Sequence, residues 1–171
     1  MNRRLVISSS LIVMALAGLW VYSRFNGSVI NTDNSAELFN KEKIYLYYYN
    51  PDKDRDMEGN IQCSRDGLVR VDRWILSNDL IKDTVQLLLK GELNDSERLR
   101  GISTEYPMPG FELRDYKLEN GKLTLYFNDS QNLSVGGACR VGILWFQIEA
   151  TAKQFPEVKE VKFMPEEIFQ P

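Results

Sequence analysis

Residues 43–49 read KIYLYYY, which sets Ile44, Leu46 and Tyr48 on one side of an extended backbone and Tyr45, Tyr47 and Tyr49 on the other. A strand is expected there. Residues 50–59 are charged and turn-rich, and residues 68–75 (LVRVDRWI) restore the alternation, with Val69 and Val71 opposite Arg70 and Asp72. The period then changes. Ile81, Val85, Leu88 and Leu89 fall at the i, i+4, i+7 and i+8 positions of a helix that Ser77 or Asn78 would cap and Gly91 would end. Residues 92–110, with Pro107, Pro109 and Gly110, keep neither period and read as a long connection, the place where function is expected.

Asn120-Gly121 lies between two alternating runs, 112–118 and 122–128, and is the strongest hairpin signal in the chain because both residues tolerate positive φ. In the second run Leu123, Leu125 and Phe127 alternate with Lys122, Thr124 and Tyr126. Val141, Leu144, Trp145, Ile148, Ala152 and Phe155 then mark the apolar stripe of a second helix, stopped by Pro156, with Trp145 in the core. Val158, Val161 and Phe163 mark a closing strand. This order implies an α+β domain, a single mixed β-sheet with two helices packed on one face.

The N-terminal segment follows different rules. Arg3 and Arg4 precede an uncharged run, residues 5–22, LVISSSLIVMALAGLWVY, which as a helix reaches roughly 27 Å, enough for a thin bilayer core. The basic flank predicts a signal anchor in residues 1–24, with the rest of the chain on the extracytoplasmic side of the cytoplasmic membrane. Cleavage after Ala15-Leu16-Ala17, giving a secreted protein, is the alternative. Lipoprotein processing is excluded, since Leu19 and not cysteine follows Ala17-Gly18. Residues 25–41 are polar and aperiodic and read as a flexible linker, leaving 42–171 for the domain. Beyond residue 24 the chain carries 18 basic side chains against 24 acidic ones, a net −6, which argues against nucleic acid as a partner.

Candidate chemistry is thin. The sequence has no histidine, so Ser/His/Asp triads, Cys/His pairs and HExxH metal sites are all excluded. Cys63 and Cys139 are too far apart for a CxxC motif and, in an oxidising compartment, suit a disulfide; two separate buried thiols are the alternative. Asp52, Asp54, Asp56 and Glu58 alternate like the start of a calcium loop, but Met57 stands where glycine is needed and Cys63 where a bidentate glutamate belongs. A solvated turn is expected, and no metal. Tyr45, Tyr47 and Tyr49, extended by Trp74 and Tyr106, are a candidate binding surface for a partner or for sugar rings, unless a helix covers them. Ser103, Thr104 and Glu105 join that candidate surface, yet they do not pair a nucleophile with a base. Gly136, Gly137 and Arg140, leading into a helix, form a weak candidate anion site.

GGACR (136–140) followed by QIEAT and QFPEVKEV, after the tyrosine-rich strand, Val71-Asp72-Arg73, LLLKG (87–91) and the Asn-Gly hairpin, resembles the GerMN family, the sporulation and spore germination domain. The resemblance spans residues 43–171. It departs at Ser103-Thr104-Glu105-Tyr106-Pro107, where the family tends to a Thr-Ser pair before Ile-Pro, and at Leu125-Tyr126-Phe127-Asn128, where Val-Asp-Phe is frequent. The chain is most similar to membrane-anchored GerMN proteins with two cysteines in matching places, which implies that Cys63 and Cys139 pair. The resemblance further implies a fold like the ring-building motif of secretion and sporulation complexes and a non-catalytic module without cofactor. Its implied partners are a second copy, another envelope protein or peptidoglycan.

Overall fold

The computed structural model describes residues 41–170, so the expected anchor and nearly all of the expected linker lie outside the described residues. Alternation decides β1 (Lys41–Tyr49): Ile44, Leu46 and Tyr48 are buried, and Tyr45 and Tyr47 are half-buried on the opposite face. It pairs antiparallel with β2 (Leu68–Leu76), from Lys41 opposite Leu76 to Tyr49 opposite Leu68. Next come α1 (Leu80–Leu89), α2 (Asp95–Leu99), β3 (Phe111–Glu119), β4 (Lys122–Asp129), α3 (Ala138–Ala152) and β5 (Glu160–Met164). β4 pairs antiparallel with β3 and parallel with β5.

The strands therefore form two sheets, of two and three strands, and not the single mixed sheet expected. The reason lies on the second edge of β1, which faces side chains of α3 and of the turn that follows it where a further strand would lie. Gln154 Oε1 accepts from Tyr45 N (2.8 Å) while its Nε2 donates to Tyr45 O (2.7 Å), so one side-chain amide completes both halves of a ladder position. Thr151 Oγ1 accepts from Tyr47 N (3.0 Å). At Tyr49 the backbone of Ser103 takes over, accepting from Tyr49 N (3.2 Å) and donating to Tyr49 O (2.7 Å). With the amides of Tyr45, Tyr47 and Tyr49 all taken, β1 has no donor left at those positions for a third long strand.

Several local expectations are corrected. The cap of α1 is Asp79, which accepts from Lys82 N (3.2 Å), and Ser77 supports it by accepting from Asp79 N (3.0 Å). Gly91 ends that helix as expected, at φ +63°. The connection 92–110 contains the short helix α2, with a reciprocal capping box between Asn94 and Glu97. α3 stops at Ala152, so Phe155 is buried beyond its end, and Val158 precedes β5. Trp145 is half-buried, its ring 4.8 Å from that of Phe163, on the wall of a cleft of about 430 Å³ beside β5. The hairpin is as expected, with Asn120 at φ +51° and Gly121 at φ +82°.

Core packing joins the two sheets through α1 and α3 and through a ring cluster in which Phe127 lies 4.9 Å from Phe111 and Phe163 lies 5.3 Å from Phe169. Among the described residues no helix is long and apolar enough to cross a membrane. Gln154→Ala should lower unfolding stability by about 2 kcal/mol, because Tyr45 loses a donor and an acceptor partner together. Thermal unfolding measures this, and a variant as stable as the parent would show that β1 does not depend on the helix.

Candidate functional site

The outer face of the β1–β2 sheet holds some of the predicted surface residues and not others. Tyr45 and Trp74 sit there among cations: the Arg70 guanidinium lies 4.3 Å from the Tyr45 ring centre, and Lys41 Nζ lies 5.5 Å from that of Trp74. Lys43 pairs with Asp72 at 2.6 Å. Trp74 is 60% exposed and its neighbour Leu76, which the sequence did not single out, is 62% exposed. Tyr47 is half-buried on the same face, by its alternation with Tyr45. Tyr49 and Tyr106 do not belong to this surface.

Tyr49 is buried because residues 50–67 fold back over it. Gly67 lies against its ring so closely that a Cβ there would overlap both Tyr49 and Asp54. The Tyr49 hydroxyl donates to the buried Asp54 carboxylate, which also accepts from Ser64 N (2.7 Å) and Ser64 Oγ (2.5 Å). Burial pushes the tyrosine hydroxyl well up, and the carboxylate beside it adds to that. For Asp54 burial opposes ionisation, but the hydrogen bonds from Ser64 and Tyr49 outweigh it and hold the carboxyl below the usual carboxylate range. Asp54 is thus the centre of a turn, while Asp52 pairs with Arg55 (3.1 Å) and Asp56 binds the amides of Glu58 (3.0 Å) and Asn60 (2.7 Å). Among the described residues no acidic or cysteine cluster is arranged to hold a metal.

The same excursion is fastened to α3. Cys63 and Cys139 are joined by a disulfide with their Cα atoms 5.1 Å apart. Arg65 donates to Glu149 (2.5 Å), with its guanidinium 4.1 Å from the Phe146 ring centre. On the β2 side, Arg73 makes a two-pronged pair with the nearly buried Glu97 (2.7 Å to each oxygen) and donates to the carbonyls of Asp72 and Glu92 (2.9 Å each). Neither the Asp54 centre nor this pair was foreseen; their partners lie 10 and 24 residues apart in sequence, beyond any local period.

The connection before β3 faces α3. Tyr106 is buried and its hydroxyl donates to the Leu144 carbonyl (3.1 Å), which removes it from the candidate surface. Residues 103–105 with Tyr49, Ile143, Leu144 and Gln147 line a cleft of about 220 Å³. Arg140 engages Glu105 of this cleft. Its Nε donates to Glu105 (2.6 Å) and one terminal nitrogen to the carbonyls of Leu133 (2.9 Å) and Val135 (2.7 Å). The arginine of the predicted anion site at Gly136, Gly137 and Arg140 is therefore engaged by the protein's own Glu105 carboxylate and backbone carbonyls.

These features define an α+β module with polar clamps between helix and strand. The sequence pattern of the Germane family, described as sporulation and spore germination, matches residues 45–167, and the chain belongs to that family. The fold is similar to that of the tandem GerMN domains of the sporulation protein GerM from Bacillus subtilis, at 22% identity and a TM-score of 0.51 over 80% of this chain and 43% of that one. The chain thus spans less than half the length of that relative. A Clostridium perfringens protein assigned as a lipoprotein is similar at 13% identity and a TM-score of 0.38, over 75% of this chain and 78% of its own. No curated protein matched.

Two consequences of the fastened excursion are measurable. Asp54 has a depressed folded pKa, so its contribution is complete above about pH 4 and is lost as pH falls through the folded value. Asp54→Asn should cost about 2 kcal/mol at neutral pH and flatten the acid limb of stability, read by urea unfolding from neutral pH down to about 3. Loss of the acid limb in the parent as well would remove Asp54 from that role. Replacing both Cys63 and Cys139 with serine should cost about 3 kcal/mol in denaturant unfolding, since the bond closes a separation of 76 residues.

Proposed function

We propose that residues 42–171 are a non-catalytic association module of the cell envelope, held outside the cytoplasmic membrane by residues 1–24 and the linker 25–41. It docks protein partners, further copies of itself included, on the outer face of β1 and β2. The observation that carries this reading is the exposure of Trp74 and Leu76, 60% and 62%, on the same sheet face as Tyr45 and Tyr47. Large apolar side chains exposed together on a sheet mark contact surfaces, and tryptophan and tyrosine are the residues that most often anchor them. A hydrolytic reading gains nothing from the geometry, since Ser103 Oγ donates to the Tyr49 carbonyl (3.3 Å) and Glu105 is taken by Arg140.

The test uses the oxidised full chain in lipid nanodiscs, with mass followed against concentration by sedimentation. The parent should associate, and the double variant Trp74→Ser/Leu76→Ser should do so about tenfold more weakly or less, given the area it removes. Equal association of parent and variant would reject this face. A monomeric parent that is retained on isolated peptidoglycan, and released by Tyr47→Ala, would replace protein docking with glycan binding.

A further inference from the structure

β5 is the outer strand of the three-stranded sheet, paired with β4 alone. Glu160 N donates to the Gly121 carbonyl (3.0 Å), which fixes the direction of every peptide group in the strand. In a parallel ladder, residues that bond the neighbouring strand alternate with residues whose N–H and C=O point away from it. Glu160, Lys162 and Met164 therefore face β4, and the backbone groups of Val161 and Phe163 face outward. Among the described residues nothing pairs with them on that side. The second edge of β1 is closed by side chains, whereas this edge is bare.

A cleft of about 430 Å³ runs along it. Its lining takes in the four consecutive residues 160–163, with Trp145 toward α3 and Lys122 and Glu166 on the far face. Consecutive strand residues point to opposite faces, so a cleft on one face would touch every second residue. One that touches four in a row and reaches both faces opens on the edge. The side chains of Val161 and Phe163 belong to the core, with the Phe163 ring 5.3 Å from that of Phe169, yet neither residue is sealed: they are 8% and 5% exposed. The far face is charged and balanced. Glu160 pairs with Lys122 (3.2 Å) and Lys162 with Glu166 (2.6 Å), all four side chains being at least 39% exposed.

We propose that this edge is an interface for a second copy of the chain, whose own β5 adds antiparallel across a two-fold axis at Val161. Each Val161 N–H then donates to the Val161 carbonyl of the other copy, and Glu160 stands opposite the second copy's Lys162 on both sides of the axis. Charge selects the register. An axis at Lys162 would set two lysines against each other, and an axis at Phe163 would bring Pro165, which has no N–H, opposite Val161. Charge also selects the occupant: a strand of one sign meets a like charge at Glu160 or at Lys162, while a second β5 meets an opposite charge at both. The existing pairs with Lys122 and Glu166 are exposed and weak, so they yield to or share with the new ones. This interface uses none of Tyr45, Tyr47, Trp74 or Leu76 and stands whether or not the β1–β2 face docks a partner.

The test follows mass against concentration by sedimentation for the oxidised full chain in detergent, carrying Trp74→Ser and Leu76→Ser so that the other face contributes nothing. This chain should dimerise. Adding Glu160→Lys alone, or Lys162→Glu alone, sets like charges opposite each other twice and should weaken the dimer about tenfold, with the thermal midpoint nearly unchanged. Combining both substitutions in one chain restores opposite charges and should restore the dimer. An equimolar mixture of the two single variants should form mixed dimers more readily than either forms its own. A chain that stays monomeric, single variants that associate as the unsubstituted edge does, or a combined variant and a mixture no better than the singles would each overturn the proposal.

Discussion

Everything in this fold depends on how the second edge of β1 is closed. A strand with one bare edge in a protein interior leaves N–H and C=O groups whose desolvation costs about 1–3 kcal/mol each if unpaired. Here the edge is closed by Thr151 from a helix, by Gln154 from the turn just beyond its end and by Ser103 from the connection before β3. That choice fixes the rest. α3 must lie alongside β1 in one register, it must carry polar residues within its buried face, and the remaining three strands must form a sheet of their own. An all-apolar α3 would bury more hydrocarbon and leave β1 unsatisfied.

The other side-chain clamps work in the same way and share a geometry: each joins a strand end or loop to a helix. Arg73 binds Glu97 while capping the Asp72 carbonyl, so part of the outer edge of β2 is occupied by the chain itself. Charged side chains at Arg70 and Asp72 discourage a foreign strand from adding there. Residues 50–67, which hold no strand or α-helix, are fastened by the disulfide, by Arg65 on Glu149 and by the buried Asp54. With its edges and residues 50–67 tied in this manner, the β1–β2 sheet presents a face and not the β1 edge to solvent.

How much of this was legible depends on the range of the interaction. Strands, the two longer helices and the hairpin follow from period and from Asn120-Gly121, because burial alternates locally. α2 has five residues, too short for any period, yet Asn94 and Glu97 spell a capping box that a closer reading would find. Tyr45, Tyr47 and Tyr49 do alternate onto one face, but Tyr49 is covered by a loop that returns at Gly67, and no pattern within the strand announces a cover. Arg140 reads locally as a free cation beside two glycines; its partner Glu105 is 35 positions earlier. The split into two sheets was invisible for the same reason, since it rests on Gln154 meeting Tyr45 across 109 positions.

The face left open is also distinct in charge. Residues 25–171 are net acidic by six, whereas Lys41, Lys43 and Arg70 on this face outnumber Asp72. In the unbound chain these cations lie over the Tyr45 and Trp74 rings and shield part of their apolar surface. Such contacts contribute about 0.5–1 kcal/mol each at exposed sites, less than the 1.5–3 kcal/mol for burying a large apolar side chain, so a partner can displace them and still gain. Charge then governs the approach, screened within about 10 Å at ordinary salt, and apolar burial governs how long the complex lasts. On the docking reading proposed above, the complement to this face is an acidic rim around an apolar patch.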